Sequence, residues 1–193
     1  MKTRLLIAAV AAGKLMLVGH QVGAEVPAAD AMAKELDACT LLVPAEISQV
    51  IGHPVERDFR NDMGFQADGS YSSTCVWIME QTEGVELNPR APLGGRSFVI
   101  LNATQWPAGS GLASGFLQDF RDAADNGEIP SAPTPKEFGD EALWWGDGLA
   151  VRSGDISLGV SVVIAGAKSR PRVLYEERLA PYIMQRVENQ TAD

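Results

Sequence analysis

The 193-residue chain is predicted to adopt an α+β fold in which antiparallel strands pack against helices. Two observations predict this class. Short runs rich in β-branched and aromatic residues form two groups of three, and segments with apolar residues at helical spacing precede, separate and follow these groups. Strands grouped in meanders with helices between them are typical of α+β proteins. We therefore expect the order helix, three strands, helix, three strands, helix, with the two groups forming a loose structural duplication.

The first helix is expected to end at Gly52. Pro44 suits its first turn. Ile47, Val50 and Ile51 share one helical face, and glycine commonly follows the last helical residue. Runs with the composition of strands then follow at 55–59, 71–79 and 96–104.

The second group begins with a helix over 112–124, which Asn126-Gly127 should end. A final helix is expected from Arg172 to Val187. Pro181 lies inside this helix and predicts a kink or a break, because proline removes a helical hydrogen bond. Between the two helices, three strands joined by tight glycine-containing turns are expected at 143–145, 148–152 and 156–164.

Residues 1–24 have the features of a cleaved signal peptide. Lys2 and Arg4 precede a mostly apolar stretch, which a small-residue cleavage site ends. The alternative is a short membrane anchor, but the apolar stretch is shorter than the roughly 20 residues of a spanning helix. No later segment is long and apolar enough to span a bilayer. We therefore expect a periplasmic or secreted bacterial protein with an acidic flexible arm at 25–38 and a single domain at 39–189.

The two cysteines are expected to form one disulfide bond, Cys39–Cys75. Export would place both in an oxidising compartment, and a single pair has only one possible connectivity. The bond would restrict the unfolded chain and thereby stabilise the fold by roughly 3.5–4 kcal/mol. The alternative is a reactive thiol, which needs a nearby base, and His53 is the only histidine that remains after signal cleavage.

Composition and motifs exclude several classes of function. The formal net charge of −9 disfavours nucleic-acid binding, which depends on Lys and Arg at phosphate groups. Two histidines and two cysteines are too few for a Cys-rich zinc module or a three-histidine metal centre. The chain also lacks the glycine-rich phosphate and dinucleotide motifs, the nucleophile elbow and the metalloprotease motif. We expect no cofactor, no metal ion and no enzymatic activity.

Asp140-Glu141 is the acidic pair most suited to acid–base work or to holding a cation. Neighbouring residues of a strand point to opposite faces, and aspartate after glycine is common in turns. A structural role is therefore the expected one. A hydrolase that uses Asp140 or Glu141 is the alternative.

The adjacent residues Trp144 and Trp145 supply the most specific hypothesis for a contact site. Strand alternation places their side chains on opposite faces. We expect Trp144 to be buried, because it continues the apolar phase of Ala142, and Trp145 to be more exposed beside the following turn. Trp145 and Trp106 are therefore the candidate residues for contact with a ligand or a partner, since exposed tryptophans are frequent at binding surfaces.

Five short segments carry a resemblance to a known family, at 39–47, 52–55, 74–77, 138–144 and 149–155. They include Cys-Thr-Leu-Leu at the first cysteine, Thr-Cys-Val-Trp at the second and Gly-Asp-Glu-Ala before the tryptophan pair. In order and spacing they resemble small exported bacterial proteins of unknown function, many of them actinobacterial lipoproteins. The chain departs from that family in its acidic arm and in the absence of a lipid-attachment cysteine. The resemblance implies a disulfide-stapled α+β extracytoplasmic domain and no established reaction.

These observations predict an exported, non-enzymatic domain that binds a partner protein or a small ligand in the cell envelope. A carboxylate-dependent hydrolase is one alternative. The other is a structural subunit of an envelope complex, with the acidic arm as its docking peptide.

Overall fold

A computed structural model describes residues 33–81, 84, 88–129, 131–166 and 173–191. In this part of the chain an eight-stranded antiparallel sheet packs against three α-helices, which confirms the α+β class. The helices are α1 (Pro44–Ile51), α2 (Phe116–Asp125) and α3 (Val173–Thr191). The strands are β1 (Val55–Arg60), β2 (Gly64–Phe65), β3 (Tyr71–Met79), β4 (Phe98–Gln105), β5 (Thr134–Lys136), β6 (Glu141–Trp144), β7 (Leu149–Ser153) and β8 (Ile156–Val163).

Two antiparallel meanders meet at the centre of the sheet. The strand order is β1-β3-β4-β8-β7-β6-β5, and β2 also pairs with β3. Strands β4 and β8 join the meanders in a register that runs from Phe98 opposite Val163 to Gln105 opposite Ile156. The sheet therefore unites segments that are far apart in the sequence.

The predicted count of three strands in each group is wrong, because β2 and β5 add one short strand to each. These strands have two and three residues, which is too short for an alternating pattern to be recognised. Pro135 in β5 also counts against a strand in the sequence, although proline is tolerated at a sheet edge. The longer elements lie close to their predicted positions, and Gly52 follows α1 in the left-handed conformation with φ of 82°.

The main core lies on one face of the sheet, which we call the first face, beneath α1 and α3. Strand residues contribute to it alternately, because neighbours along a strand point to opposite sides. Burial of one large aliphatic side chain stabilises the fold by roughly 1.5–3 kcal/mol. The buried side chains come from both helices and from most strands, and include Ile47, Trp77, Leu101, Leu149, Leu158 and Leu179.

Helix α2 lies on the opposite, second face of the sheet, over β6 and β7. Its Leu117 is fully buried against Leu143 and Ala150, which alternate with first-face residues of the same strands. Because α1 and α2 cover opposite faces, the two halves of the chain are alike in their strands but not in the placement of their helices. The expected structural duplication therefore does not extend to the helices.

Helix α3 is not broken at Pro181. It continues from Val173 to Thr191, and Pro181 lies on its exposed side. A proline in that position leaves the unpaired carbonyl group of the preceding turn within reach of water, which limits the cost of the lost hydrogen bond. The helix is fastened to α1 by Arg186, whose two Nη atoms each lie 2.9 Å from a carboxylate oxygen of Glu46.

The segment before the first cysteine is packed against the sheet from Ala33 onward. Ala33, Leu36 and Ala38 are buried, although the sequence assigns them to a flexible arm. The backbone N–H of Ala33 donates to the carbonyl oxygen of Gly69 at 2.9 Å, and that of Ala38 donates to Ser73 Oγ at 2.9 Å. The predicted signal peptide and the rest of the arm lie outside the described residues.

The predicted disulfide bond is present between Cys39 and Cys75. Cys39 lies in a one-turn 3₁₀ helix, Ala38–Thr40, and Cys75 is fully buried in β3. The bond therefore fastens the segment before α1 to a long strand of the sheet. No helix in the described part of the chain combines the length and the apolar character needed to cross a membrane.

Replacement of both Cys39 and Cys75 by serine is expected to lower the free energy of unfolding by roughly 2–5 kcal/mol, because the unfolded chain loses its cross-link. Urea denaturation of the oxidised wild type and the double variant measures this loss. Reduced wild type is the control, since it should unfold at nearly the same urea concentration as the variant. Detection of two free thiols in unfolded, unreduced wild type would contradict the pairing.

Candidate functional site

Trp145 lies where β6 turns into β7. Its backbone N–H donates to the carbonyl oxygen of Gly148 at 3.1 Å, which closes the turn between the two strands. As expected from strand alternation, Trp144 packs against the first-face core and Trp145 against the residues beneath α2. The expected difference in burial is wrong, because Trp144 is half-buried, as Trp145 is. Each tryptophan packs against a core cluster on one side and keeps part of its surface exposed.

The Trp145 indole lies directly over Gly148. A Cβ atom at residue 148 would come within 2.3 Å of Trp145 Cη2 and 2.4 Å of Ser161 Oγ, which real structures do not tolerate. Glycine is therefore required here by the close approach of the ring. The ring in turn rests on the second face of the sheet and faces α2.

An apolar groove of about 300 Å³ lies between α2 and Trp145, and we call it the α2 groove. The ring centroids of Phe120 and Trp145 are 4.9 Å apart with a tilt of 30°, and those of Phe116 and Phe120 are 5.4 Å apart, edge to face. Such aromatic pairs contribute about 0.5–1.5 kcal/mol beyond the burial of their area. The groove is lined by Phe116, Asp119, Phe120, Ala123, Ile129 and Trp145.

Among the described residues, Asp119 is the one charged residue that lines the α2 groove, and its side chain is exposed. The basic residue of α2, Arg121, is directed elsewhere: its Nη2 atom pairs with Glu141 Oε1, and its Nη1 atom donates to Gln118 Oε1 at 3.4 Å. The groove therefore combines an aromatic lining with a negative charge at its edge.

Trp106, the other candidate contact residue, occupies a different site. It lines an open cavity of about 450 Å³ at the turn between β7 and β8, together with Ala33, Lys34 and Asp155. Its indole N–H donates to Ser157 Oγ at 2.9 Å, and its backbone N–H donates to the Asp155 carbonyl oxygen at 2.8 Å. These bonds fasten the end of β4 to the β7–β8 turn, which is a structural role.

The structure does not bring Trp106 and Trp145 together. Trp145 adjoins the turn at one end of β7, and Trp106 adjoins the turn at the other end. Instead, Trp145 meets Phe116 and Phe120, which the sequence places on the apolar side of a helix without indicating their contact with Trp145. The sequence feature that indicates this contact is the number of large apolar residues on α2. Leu117 alone among them is fully buried, so the others are left to pack against residues such as Trp145.

The carboxylates of Asp140 and Glu141 bind arginine side chains, and that of Asp140 also accepts a hydrogen bond from a backbone N–H group. Asp140 Oδ2 accepts hydrogen bonds from the Gly154 N–H at 2.7 Å and from Arg152 Nη1 at 3.1 Å. Glu141 pairs with Arg121 and lies 4.0 Å from Arg152 Nε. These contacts connect β6, β7 and α2, as expected for structural residues.

A second charged cluster surrounds Arg60 at the edge of the sheet. Arg60 Nη1 pairs with Asp37 Oδ2 at 2.8 Å, and Arg60 Nη2 donates to the Tyr71 hydroxyl at 3.0 Å. The Tyr71 hydroxyl donates to Asp62 Oδ2 at 3.0 Å. The hydrogen bond from Arg60 lowers the pKa of Asp62 from 3.8 to about 2, whereas partial burial raises the pKa of Tyr71. The cluster joins the segment before Cys39 to β1 and β3.

Among the described residues, one group of three potential metal ligands lies close together, formed by Cys39, Asp58 and Cys75, whose ligand atoms are within 4.8 Å of one another. Both sulfur atoms belong to the disulfide bond, so neither is a thiolate that could bind a metal. His53, the base considered for a reactive thiol, lies in the connection between α1 and β1. The α2 groove is consequently the candidate site that the geometry favours.

A scan against protein-family models finds no family that matches this chain, and a search of curated proteins finds no match either. The resemblance to small exported bacterial proteins therefore stays a prediction from the sequence.

The contact between Phe120 and Trp145 is expected to give a coupling energy of about 0.5–1.5 kcal/mol in a double-mutant cycle with alanine, because their rings pack directly. Urea denaturation of the wild type, the two single variants and the double variant measures it. The matched control is the cycle of Phe120 and Trp144, whose side chains lie on opposite faces, where additivity within about 0.5 kcal/mol is expected. Equal coupling in both cycles would contradict the assigned faces.

The charge of Asp62 is expected to stabilise the fold most above pH 4. Its pKa is depressed in the folded protein, to about 2, so its contribution is fully present above the unfolded pKa and is lost as the pH falls through 2. The difference in the free energy of unfolding between the wild type and Asp62→Asn should therefore narrow between pH 4 and pH 2. Chemical denaturation at several pH values measures it, and a difference that stays constant would contradict the assigned pairing with Arg60.

Proposed function

We propose that this chain is an exported, non-enzymatic domain that binds a partner protein in the cell envelope through the α2 groove. The observation that carries the proposal is the groove itself, in which two phenylalanines of α2 and Trp145 line an apolar depression open to solvent. Aromatic side chains that line a depression open to solvent are typical of the sites where a partner's side chain is received.

The openness of the groove favours a protein over a small ligand. Sites for small molecules enclose most of the surface of the molecule they bind. Here the aromatic lining residues Phe116, Phe120 and Trp145 are all half-buried, so the groove would contact a bound molecule on one side only. A side chain that projects from a partner protein needs no such enclosure, because the surrounding interface excludes water.

The contacts of the acidic pair argue against the alternative of a carboxylate-dependent hydrolase. A general acid or base requires a carboxyl group that is free to exchange a proton with a substrate. Asp140 and Glu141 are both paired with arginines, and the Asp140 carboxylate also accepts a backbone hydrogen bond. The packing of Ala33, Leu36 and Ala38 leaves less of the acidic arm available as the docking peptide of a structural subunit.

Export is the second part of the proposal. The signal-peptide features of residues 1–24 support it. The Cys39–Cys75 disulfide is consistent with it, because such bonds persist in oxidising compartments. The resemblance to exported bacterial proteins points to the same location.

Site-specific photocrosslinking tests the proposed interface. A benzophenone amino acid at Ala123, in the groove, should give a discrete crosslinked adduct in the envelope fraction of cells that export the protein. The same amino acid at Gln185, which is exposed on α3 on the other side of the sheet, is the matched control and should give none. Trp145→Leu should abolish the Ala123 adduct, because it removes the largest ring of the groove.

Two results of this experiment would overturn the proposed function. One is the absence of an adduct at Ala123 in protein that is correctly folded and exported. The other is equal crosslinking at Ala123 and Gln185, which would indicate contact without preference for the groove.

A further inference from the structure

We propose that the α2 groove receives a basic side chain of the partner protein, an arginine or a lysine, whose aliphatic stem lies on the aromatic lining and whose cationic end lies beside Asp119. This inference rests on the proposed function, since it specifies the chemistry of the segment that the groove binds. It follows from the lining of the groove, the charge at its edge and the charges that surround it.

The lining suits the stem of a long basic side chain. Phe116, Phe120, Ala123, Ile129 and Trp145 present apolar atoms along the groove. Lysine and arginine bury their aliphatic stems along apolar surfaces while their charged ends stay close to water. A groove of about 300 Å³ that is open on one side provides both environments at once.

The edge of the groove supplies the opposite charge. Asp119 is exposed on the same side of α2 as Phe116 and Phe120. The nearest cation of the helix, Arg121, does not neutralise it, because its guanidinium is bound by Glu141 and Gln118. A cationic group seated in the groove would therefore lie near the Asp119 carboxylate at its edge and near aromatic rings within it, whose faces attract cations as well.

Other residues on and just after α2 are negatively charged as well. Asp122 and Asp125 on α2 and Glu128 just after it are also exposed, so this helix and the turn that follows it carry more carboxylates than basic side chains. The whole chain has a formal net charge of −9, which attracts basic partners from a distance. The same charge opposes a second copy of this chain as the occupant, because two acidic α2 surfaces would repel each other. Charge complementarity thus favours a basic protein segment.

The test uses two synthetic peptides that differ only in charge, acetyl-Leu-Arg-Leu-Arg-amide and its neutral counterpart with citrulline in place of arginine. Each is titrated into the protein while the indole N–H signal of Trp145 is followed by NMR, with the signal assigned from Trp145→Phe. The arginine peptide is expected to bind about fivefold more tightly than the citrulline peptide at low salt, as measured for favourable exposed ion pairs. The preference should decrease at higher ionic strength, because salt screens exposed charges.

Two variants test whether Asp119 causes the preference for the arginine peptide. Asp119→Asn should weaken binding of the arginine peptide about threefold and leave binding of the citrulline peptide unchanged. Asp58→Asn removes the same charge from β1, at the other edge of the sheet, and should change neither affinity by a comparable factor. Thermal unfolding of both variants verifies that they remain folded.

The outcomes separate this inference from the proposed function. If the citrulline peptide binds as tightly as the arginine peptide, or if Asp119→Asn has no effect, the inference is overturned while the groove remains a binding surface. If neither peptide moves the Trp145 signal, the inference is overturned as well. The proposed function then depends only on whether the crosslink at Ala123 forms.

Discussion

The antiparallel pairing of β4 with β8 is the constraint on which the rest of this structure depends. It aligns eight residues of each strand, from Phe98 opposite Val163 to Gln105 opposite Ile156. Each meander alone exposes an unpaired strand and an incomplete apolar face. Their union produces one sheet wide enough for α1 and α3 to close a common core. Because the two strands are distant in sequence, folding must close a long loop before this pairing forms, which slows folding relative to local contacts.

The candidate site follows from an imbalance between the two faces of that sheet. The first face receives two helices and holds the main core, whereas the second face receives only α2 among the described residues. Of the residues of α2, the short helix over β6 and β7, Leu117 alone is buried. Phe116, Phe120 and Trp145 are covered on one side only. The groove is therefore the exposed half of a small secondary core, made possible by the absence of a side chain at Gly148.

Local signals in the sequence predict much of the fold but little of the site. The limits of α1 follow from Pro44 and Gly52, and β3 follows from its run of β-branched and aromatic residues, because both depend on neighbours along the chain. Helical periodicity in α2 specifies an apolar side but not the sheet face that it covers. The contact between Phe120 and Trp145 depends on that choice of face. The sequence also gives no sign that Leu36 is buried, because a polar, alanine-rich stretch does not indicate the distant surface that it packs against.

Ala33 lies far from the α2 groove, so a support attached at this residue would not cover the groove. Ala33 and Gln190, near the two limits of the described chain, both line the cavity at the β7–β8 turn. The α2 groove adjoins Trp145, at the turn between β6 and β7, which lies at the other end of β7. A tether fixed at Ala33 or at Gln190, whether to a larger assembly or to a sensor chip, would therefore leave the aromatic groove at the end of β7 that faces away from the support.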